Sequence, residues 1–114
     1  MVVERGEIWW ADLDEPRGSE PGHPRPVVIV QRNSFNRSRI NTVIAVALTT
    51  NLNLVSSPGN VLVPAKAAGL PRDSVANVSQ VITVDKSFLT ERIGLVPNPL
   101  LTEIERGLRL ILDL

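Results

Sequence analysis

The chain has 114 residues, with 12 Lys and Arg against 12 Asp and Glu, and no cysteine. This length supplies one hydrophobic core, so we expect a single domain spanning residues 1–114. The lack of cysteine excludes disulfide frameworks, thiolate nucleophiles and sulfur-ligated zinc sites. No apolar run approaches the roughly 20 residues of a membrane-spanning helix, and the N-terminus is unlike a signal peptide. We therefore expect a cytoplasmic protein that does not enter the membrane.

The charges are unevenly distributed along the chain. Residues 1–16 hold five acids and one base, residues 17–39 hold five arginines and one acid, and residues 40–114 hold six of each. Arginine suits bidentate recognition of phosphate, so the second segment is a candidate phosphate-binding region. Ordinary solubilising surface charge is the alternative explanation.

Apolar segments in the first half of the chain predict three strands, at residues 7–13, 27–31 and 42–48. Between the first two, residues 14–25 contain three prolines and two glycines. This composition predicts a long irregular loop, and loops of that length in compact domains usually carry function. The paired tryptophans of the first strand are expected to pack in the core or at a dimer interface rather than to stack on a base.

The second half of the chain predicts further short strands. Residues 61–64 predict a strand that its proline places at an edge or an end. Residues 73–84 predict a long, bent strand, and residues 92–96 predict a last one. No early segment is long enough for the helical crossovers that parallel strands need, so the expected fold is mainly β, a small curled antiparallel sheet or barrel.

A C-terminal helix is predicted to close this sheet. Asn98 followed by Pro99 is typical of a helix start. Gly107 lies inside the predicted helix, where glycine costs about 1 kcal/mol relative to alanine. We expect either a tolerant helix or the close approach of another backbone. The apolar residues that recur at helical spacing are Leu101, Ile104, Leu108 and Ile111.

Short motifs follow one another along almost the whole chain. They are residues 5–13 (RGEIWWADL), 18–20 (GSE), 25–31 (RPVVIVQ), 47–50 (ALTT), 69–75 (GLPRDSV), 80–86 (QVITVDK) and 93–94 (IG). In this order they resemble the MazF/PemK family of toxin endoribonucleases. The resemblance implies a small SH3-like antiparallel barrel of the CcdB/PemK type with a C-terminal helix. It also implies a homodimer, a MazE-like antitoxin partner, and sequence-selective cleavage of single-stranded RNA (mRNA) without metal or cofactor.

Arg25 and Thr49 match the positions that carry the chemistry in this family, so the resemblance implies that both are catalytic. Metal-free cleavage of RNA usually means attack by the ribose 2′-OH on the adjacent phosphorus, giving a 2′,3′-cyclic phosphate and a 5′-OH. Arg25 can stabilise the phosphorane through two N–H donors, and Thr49 can add a hydroxyl hydrogen bond. Neither type of side chain is a good base at neutral pH.

His23 is a candidate proton shuttle, because histidine has an ordinary pKa of about 6.5. It is the chain's single histidine and stands two residues before Arg25, in the predicted loop. Some family members carry histidine directly before this arginine, where this chain has Pro24. A solvated loop histidine without a catalytic role is the alternative.

Ser19 and Glu20 match the loop that closes over RNA in this family. The resemblance implies that Ser19 binds phosphate, and that Glu20 accepts from a base edge or orients Arg25. Ordinary turn chemistry is the alternative explanation for both residues. Gln80 stands among apolar neighbours, which suggests either a satisfied core amide or a groove-lining group. The other candidate RNA-binding residues are Arg17, Arg32 and Thr50.

The chain offers no convincing metal site. Asp12, Asp14 and Glu15 are close in sequence, but no phosphate-cradling glycine motif accompanies them, so we interpret them as a solvated strand end. Two other functions are compatible with a small barrel of this kind. One is a non-enzymatic, CcdB-like toxin that binds gyrase, and the other is an RNA-binding module without chemistry.

Overall fold

The computed structural model describes residues 2–13, 18 and 23–114, with only the backbone described at His23. Across this part of the chain, six strands form one antiparallel sheet that curls into a half-barrel. The strands are β1 (Glu7–Leu13), β2 (His23–Ile29), β3 (Thr42–Thr49), β4 (Val61–Val63), β5 (Ser74–Asp85) and β6 (Leu89–Leu95). Their order across the sheet is β4-β5-β3-β2-β1-β6, so the predicted mainly β, antiparallel class is confirmed.

In the described part of the chain, three helices accompany the sheet: α1 (Asn33–Asn36), α2 (Ala65–Ala68) and α3 (Asn98–Leu112). Two 3₁₀ turns, Leu52–Ser56 and Lys86–Phe88, lie between strands. Helix α3 is the predicted amphipathic C-terminal helix, and it buries Leu101 and Ile104. It begins at Asn98 after Pro97, one residue earlier than the sequence predicts.

Both faces of the sheet are packed, because side chains alternate between them along each strand. One core cluster joins α3 to Ile8 of β1 and to its neighbours on the same face. The other cluster contains Trp9 of β1 and covers the opposite face. Trp9 is buried, as the sequence predicts, and its Nε1 donates a hydrogen bond to Glu7 Oε1 at 3.1 Å.

Strand β5 is bent by a bulge. Val46 of β3 pairs with Val81, whereas Leu48 pairs with Ala76, so residues 77–80 of β5 lie opposite Ala47 alone. Bulges of this kind bend a strand and increase its twist. The first part of β5 therefore pairs with both β3 and β4, and the predicted bend in this strand is confirmed.

The sequence prediction of a loop over residues 14–25 is wrong at its C-terminal end. Residues 23–25 belong to β2, and their register pairs Arg25 with Ala11 and His23 with Leu13. Prolines are tolerated here because β2 pairs with β3 only from Val27 onward, which leaves its earlier residues without a partner on that side. Residues 14–17 and 19–22 lie outside the described residues.

Candidate active site

A cleft of about 420 Å³ opens beside the start of β2 and the end of β3. The segment that joins α2 to β5 forms a further wall, and β1 and β6 each contribute one side chain. The described residues that line the cleft are Trp10, Pro24, Arg25, Pro26, Leu48, Thr49, Thr50, Leu70, Pro71, Arg72, Ser74 and Ile93.

Arg25 and Thr49 both line this cleft, although they lie far apart in the sequence. The antiparallel register of β2 and β3 explains why. Val27 pairs with Ala47, so Arg25 lies two residues before the first paired residue of β2 and Thr49 lies two residues after its partner in β3, at the same end of the two strands. Both side chains are half-buried, so they are held by the strands yet remain open to a ligand.

Among the described residues, the Thr49 hydroxyl has one hydrogen bond. Its Oγ1 accepts from the backbone N–H of Asn51 at 3.1 Å. A threonine hydroxyl has two acceptor lone pairs and one donor proton, so this bond leaves the O–H proton available to a ligand. Thr50, the next residue, is exposed and also lines the cleft.

Arg72 is a second cation on the cleft wall, and it was not predicted from the sequence. The turn that carries it is well defined. Gly69 ends α2 in the left-handed region at φ +76°, and Asp73 Oδ1 accepts from the backbone N–H of Ala65 at 2.8 Å. The only sequence signal was the motif at residues 69–75, within which nothing distinguished Arg72 as a site residue.

The electrostatics of the cleft favour an anion. Its described lining holds two arginines and no aspartate or glutamate. Apolar groups lie beside these cations, among them the ring of Trp10, which is half-buried. Guanidinium groups next to an aromatic ring form the combination that holds a phosphate and an unpaired base together. The cleft therefore has the chemistry of a single-stranded nucleic acid site.

The other candidate residues either lie away from the cleft or are outside the described residues. Arg32 precedes α1, beyond the far end of β2 from Arg25, and Gln80 lies in the β5 bulge; neither lines the cleft. Arg17, Ser19, Glu20 and the side chain of His23 lie outside the described residues.

No group of three or more His, Cys, Asp or Glu in the described part of the chain is arranged to hold a metal ion. Among the same residues, no helix is long and apolar enough to cross a membrane.

Comparisons with known proteins identify the family and the fold. Residues 4–112 match the family model of the PemK-like, MazF-like toxins of type II toxin-antitoxin systems. Endoribonuclease MazF6 of Mycobacterium tuberculosis is 51% identical over 114 residues, covering 100% of both chains. A mycobacterial endoribonuclease solved in complex with its cognate antitoxin is 26% identical, with a TM-score of 0.76 over 99% of this chain and 95% of that one. MazF of Deinococcus radiodurans shares the fold, with a TM-score of 0.83 and 22% identity over 100% of this chain and 99% of that one.

Proposed function

Because the chain belongs to the family of PemK-like and MazF-like toxins of type II toxin-antitoxin systems, we propose that it is an endoribonuclease that cuts single-stranded RNA in the cleft. The observation that carries this proposal is the juxtaposition of Arg25 and Thr49 on neighbouring strands, in a cleft whose described lining is cationic and free of acids. Relatives named as endoribonucleases at 51% and 34% identity over the whole chain support the same activity.

The proposed reaction is an internal transesterification. The 2′-oxygen forms a bond to the adjacent phosphorus, the bond from phosphorus to the 5′-oxygen breaks, and the products carry a 2′,3′-cyclic phosphate and a 5′-OH. The guanidinium of Arg25 stabilises the charge that develops on the nonbridging oxygens, and the Thr49 hydroxyl donates to one of them. Arg72 adds a second positive charge to the same cleft.

Two proton transfers complete this reaction. A base must remove the 2′-OH proton, and an acid must protonate the leaving 5′-oxygen. His23 is the proposed shuttle, because its backbone lies in β2 two residues from Arg25 and an imidazole exchanges protons near neutral pH. None of these steps uses a metal ion, so cleavage is expected to proceed in the presence of a chelator.

The proposed substrate is mRNA in its single-stranded form. Unpaired bases can stack on accessible aromatic groups, and the half-buried ring of Trp10 lies at the cleft wall. Sequence selectivity is proposed to come from Thr50 at the cleft, and from Ser19 and Glu20 as the family resemblance implies. Action on mRNA implies a cytoplasmic protein. An antitoxin of the MazE type and a homodimeric assembly are proposed from the family and from the relative solved with its cognate antitoxin.

The decisive experiment is incubation of the purified protein with a mixed-sequence single-stranded RNA in excess EDTA, followed by mapping of the cut ends. The proposal expects discrete cuts with 5′-OH termini, which reveal the recognition sequence at the same time. Cleavage that requires an added metal, or 5′-phosphate ends, would contradict the proposed chemistry. Binding without any cleavage would favour the RNA-binding module, and neither binding nor cleavage would favour the gyrase-binding toxin.

A further inference from the structure

A second basic surface lies at the end of β2 away from the cleft. It is formed by α1 and its flanking residues, and we call it the α1 surface: Arg32, Phe35, Arg37 and Arg39. All four side chains are exposed. Residues 30–41 contain no aspartate or glutamate, in a chain whose net charge is zero. Strand β2 from Arg25 to Ile29, and then the residues up to Arg32, separate the two sites, so the α1 surface and the cleft lie at opposite ends of β2.

Helix α1 is packed in an unusual way. Phe35 is 51% exposed, whereas the next residue, Asn36, is 5% exposed and is the one residue that the helix buries. Hydrophobic burial would favour the reverse arrangement, because the phenyl ring gains more than an amide on leaving water. The fold therefore holds an aromatic ring in solvent between exposed arginines.

Hydrogen bonds fix α1 in this orientation. The Asn36 side chain donates to Gln31 O at 2.9 Å and accepts from Gln31 Nε2 at 2.9 Å. Asn33 Oδ1 accepts from the backbone N–H of Arg5 at 2.7 Å. Lys86 Nζ donates to Asn36 O at 2.8 Å, which ties the helix to the end of β5. The α1 surface is thus presented on a scaffold that is already ordered before any ligand binds.

We propose that the α1 surface is a second binding site for single-stranded RNA, which holds the part of the substrate that extends beyond the cleft. This inference rests on the proposed function of the cleft. A base stacks on Phe35 while Arg37 and Arg39 contact the neighbouring phosphates, a mode of binding that tolerates any sequence. A ring with flanking guanidinium groups suits bases and phosphates better than a protein segment.

The test compares two RNAs that carry the same mapped cleavage sequence, one of about 6 and one of about 16 nucleotides, a range that small single-strand-binding domains cover. We expect Phe35→Leu to raise KM for the longer RNA about fivefold or more, the lower limit of base stacking, because leucine is apolar but has no ring face. Cleavage of the shorter RNA should not change. Phe35→Trp should retain the wild-type KM for the longer RNA.

Salt dependence tests the arginines separately. The double change Arg37→Gln and Arg39→Gln should reduce the slope of log affinity against log salt by about 1.4 for the longer RNA, since each phosphate contact on a single strand contributes about 0.7. Arg106→Gln, at an exposed arginine on α3, is the control and should not change the slope.

The outcomes separate this inference from the proposed function. If neither RNA is cleaved, the proposed function fails, and the affinity of the longer RNA for the Phe35→Leu protein, measured by fluorescence anisotropy, still decides the role of the α1 surface. If the shorter RNA is cleaved but the longer RNA has the same KM with wild-type and Phe35→Leu protein, the inference is overturned. It is equally overturned if the α1 variants keep full RNA affinity and instead lose binding to a partner protein.

Discussion

The backbone of Gly59 packs directly against the backbone of Gly107 in α3. A Cβ atom added at Gly107 would collide with the carbonyl oxygen of Gly59, and one added at Gly59 would lie 3.2 Å from the Gly107 Cα. This contact explains why a residue with poor helix propensity lies inside the C-terminal helix. It sets α3 close to the loop before β4 and so closes the core over one face of the sheet.

Gly107→Ala should destabilise the protein, although alanine is the better helix former by about 1 kcal/mol. The added methyl group has no space, and overpacking of this kind costs about 1–3 kcal/mol. Urea denaturation of the variant should show a lower midpoint than wild type. Arg106→Ala, at the neighbouring exposed position, should change the free energy of unfolding by less than about 0.5 kcal/mol. Equal or greater stability of Gly107→Ala would contradict the observed contact.

Arg25→Ala should reduce the rate of RNA cleavage by at least about 100-fold, the usual effect of removing one group that stabilises a developing oxyanion. The fold should remain intact, because the side chain is half-buried at a cleft wall. Arg25→Lys should retain part of the activity, since it keeps the charge but loses bidentate geometry. Arg109→Ala, at an exposed position on α3, is the control. Unchanged cleavage by folded Arg25→Ala protein would remove Arg25 from the proposed mechanism.

Thr49→Val should slow cleavage by about tenfold, a smaller effect than that of Arg25→Ala, because it removes one neutral hydrogen bond worth ~1.4 kcal/mol. Thr49→Ser should restore most of the rate. Thr49→Val also removes the acceptor of the Asn51 N–H, so thermal unfolding must be measured alongside activity. A Thr49→Val protein that loses stability but keeps its cleavage rate would assign the hydroxyl a structural role only.

His23→Ala should flatten the profile of cleavage rate against pH between about pH 5 and 8, where an imidazole exchanges protons. If His23 is the shuttle, the cleavage rate of the wild-type protein depends on whether the imidazole carries a proton. The measurement is kcat/KM over this range for wild-type and variant proteins. Identical profiles would show that another group carries the protons.

Asp85 caps the 3₁₀ turn that follows β5, and this should make stability depend on pH. The backbone N–H of Ser87 donates to Asp85 Oδ1 at 2.9 Å, and the Ser87 hydroxyl donates at 2.7 Å. These bonds favour the charged form, so they hold the pKa of Asp85 below its ordinary value of 3.8. A lowered pKa in the folded state means that the stabilisation is present above that ordinary value and is lost as pH falls below it.

Asp85→Ala should therefore be less stable than wild type at neutral pH, and the difference should shrink at an acidic pH below 3.8, where the wild-type carboxylate becomes protonated. Urea denaturation at both pH values measures it. A difference that stayed constant with pH would mean that the carboxylate's charge does not contribute to the cap.

Local patterns in the sequence predicted much of the fold because they depend on neighbouring residues only. β1 was predicted at its observed bounds, and β3 ends one residue later than predicted, at Thr49. The edge position of β4 was also predicted, since the effect of proline on a strand acts within a few residues. By contrast, the start of β2 was missed, because the prolines around Arg25 disfavour a strand until β1 supplies a partner.

The sequence by itself determined the strand pattern, the amphipathic C-terminal helix, the family resemblance and the candidate pair Arg25 and Thr49. Only the tertiary structure decided that these two residues face one cleft, because their proximity depends on the register between β2 and β3. It also brought Arg72 into that cleft, from a turn whose position depends on α2 and β5. The tertiary structure also decided the exposure of Phe35, because burial depends on contacts between distant segments. Hydrogen bonds between Gln31 and the Asn36 side chain hold Asn36 inward in its place, and Lys86 binds the Asn36 backbone.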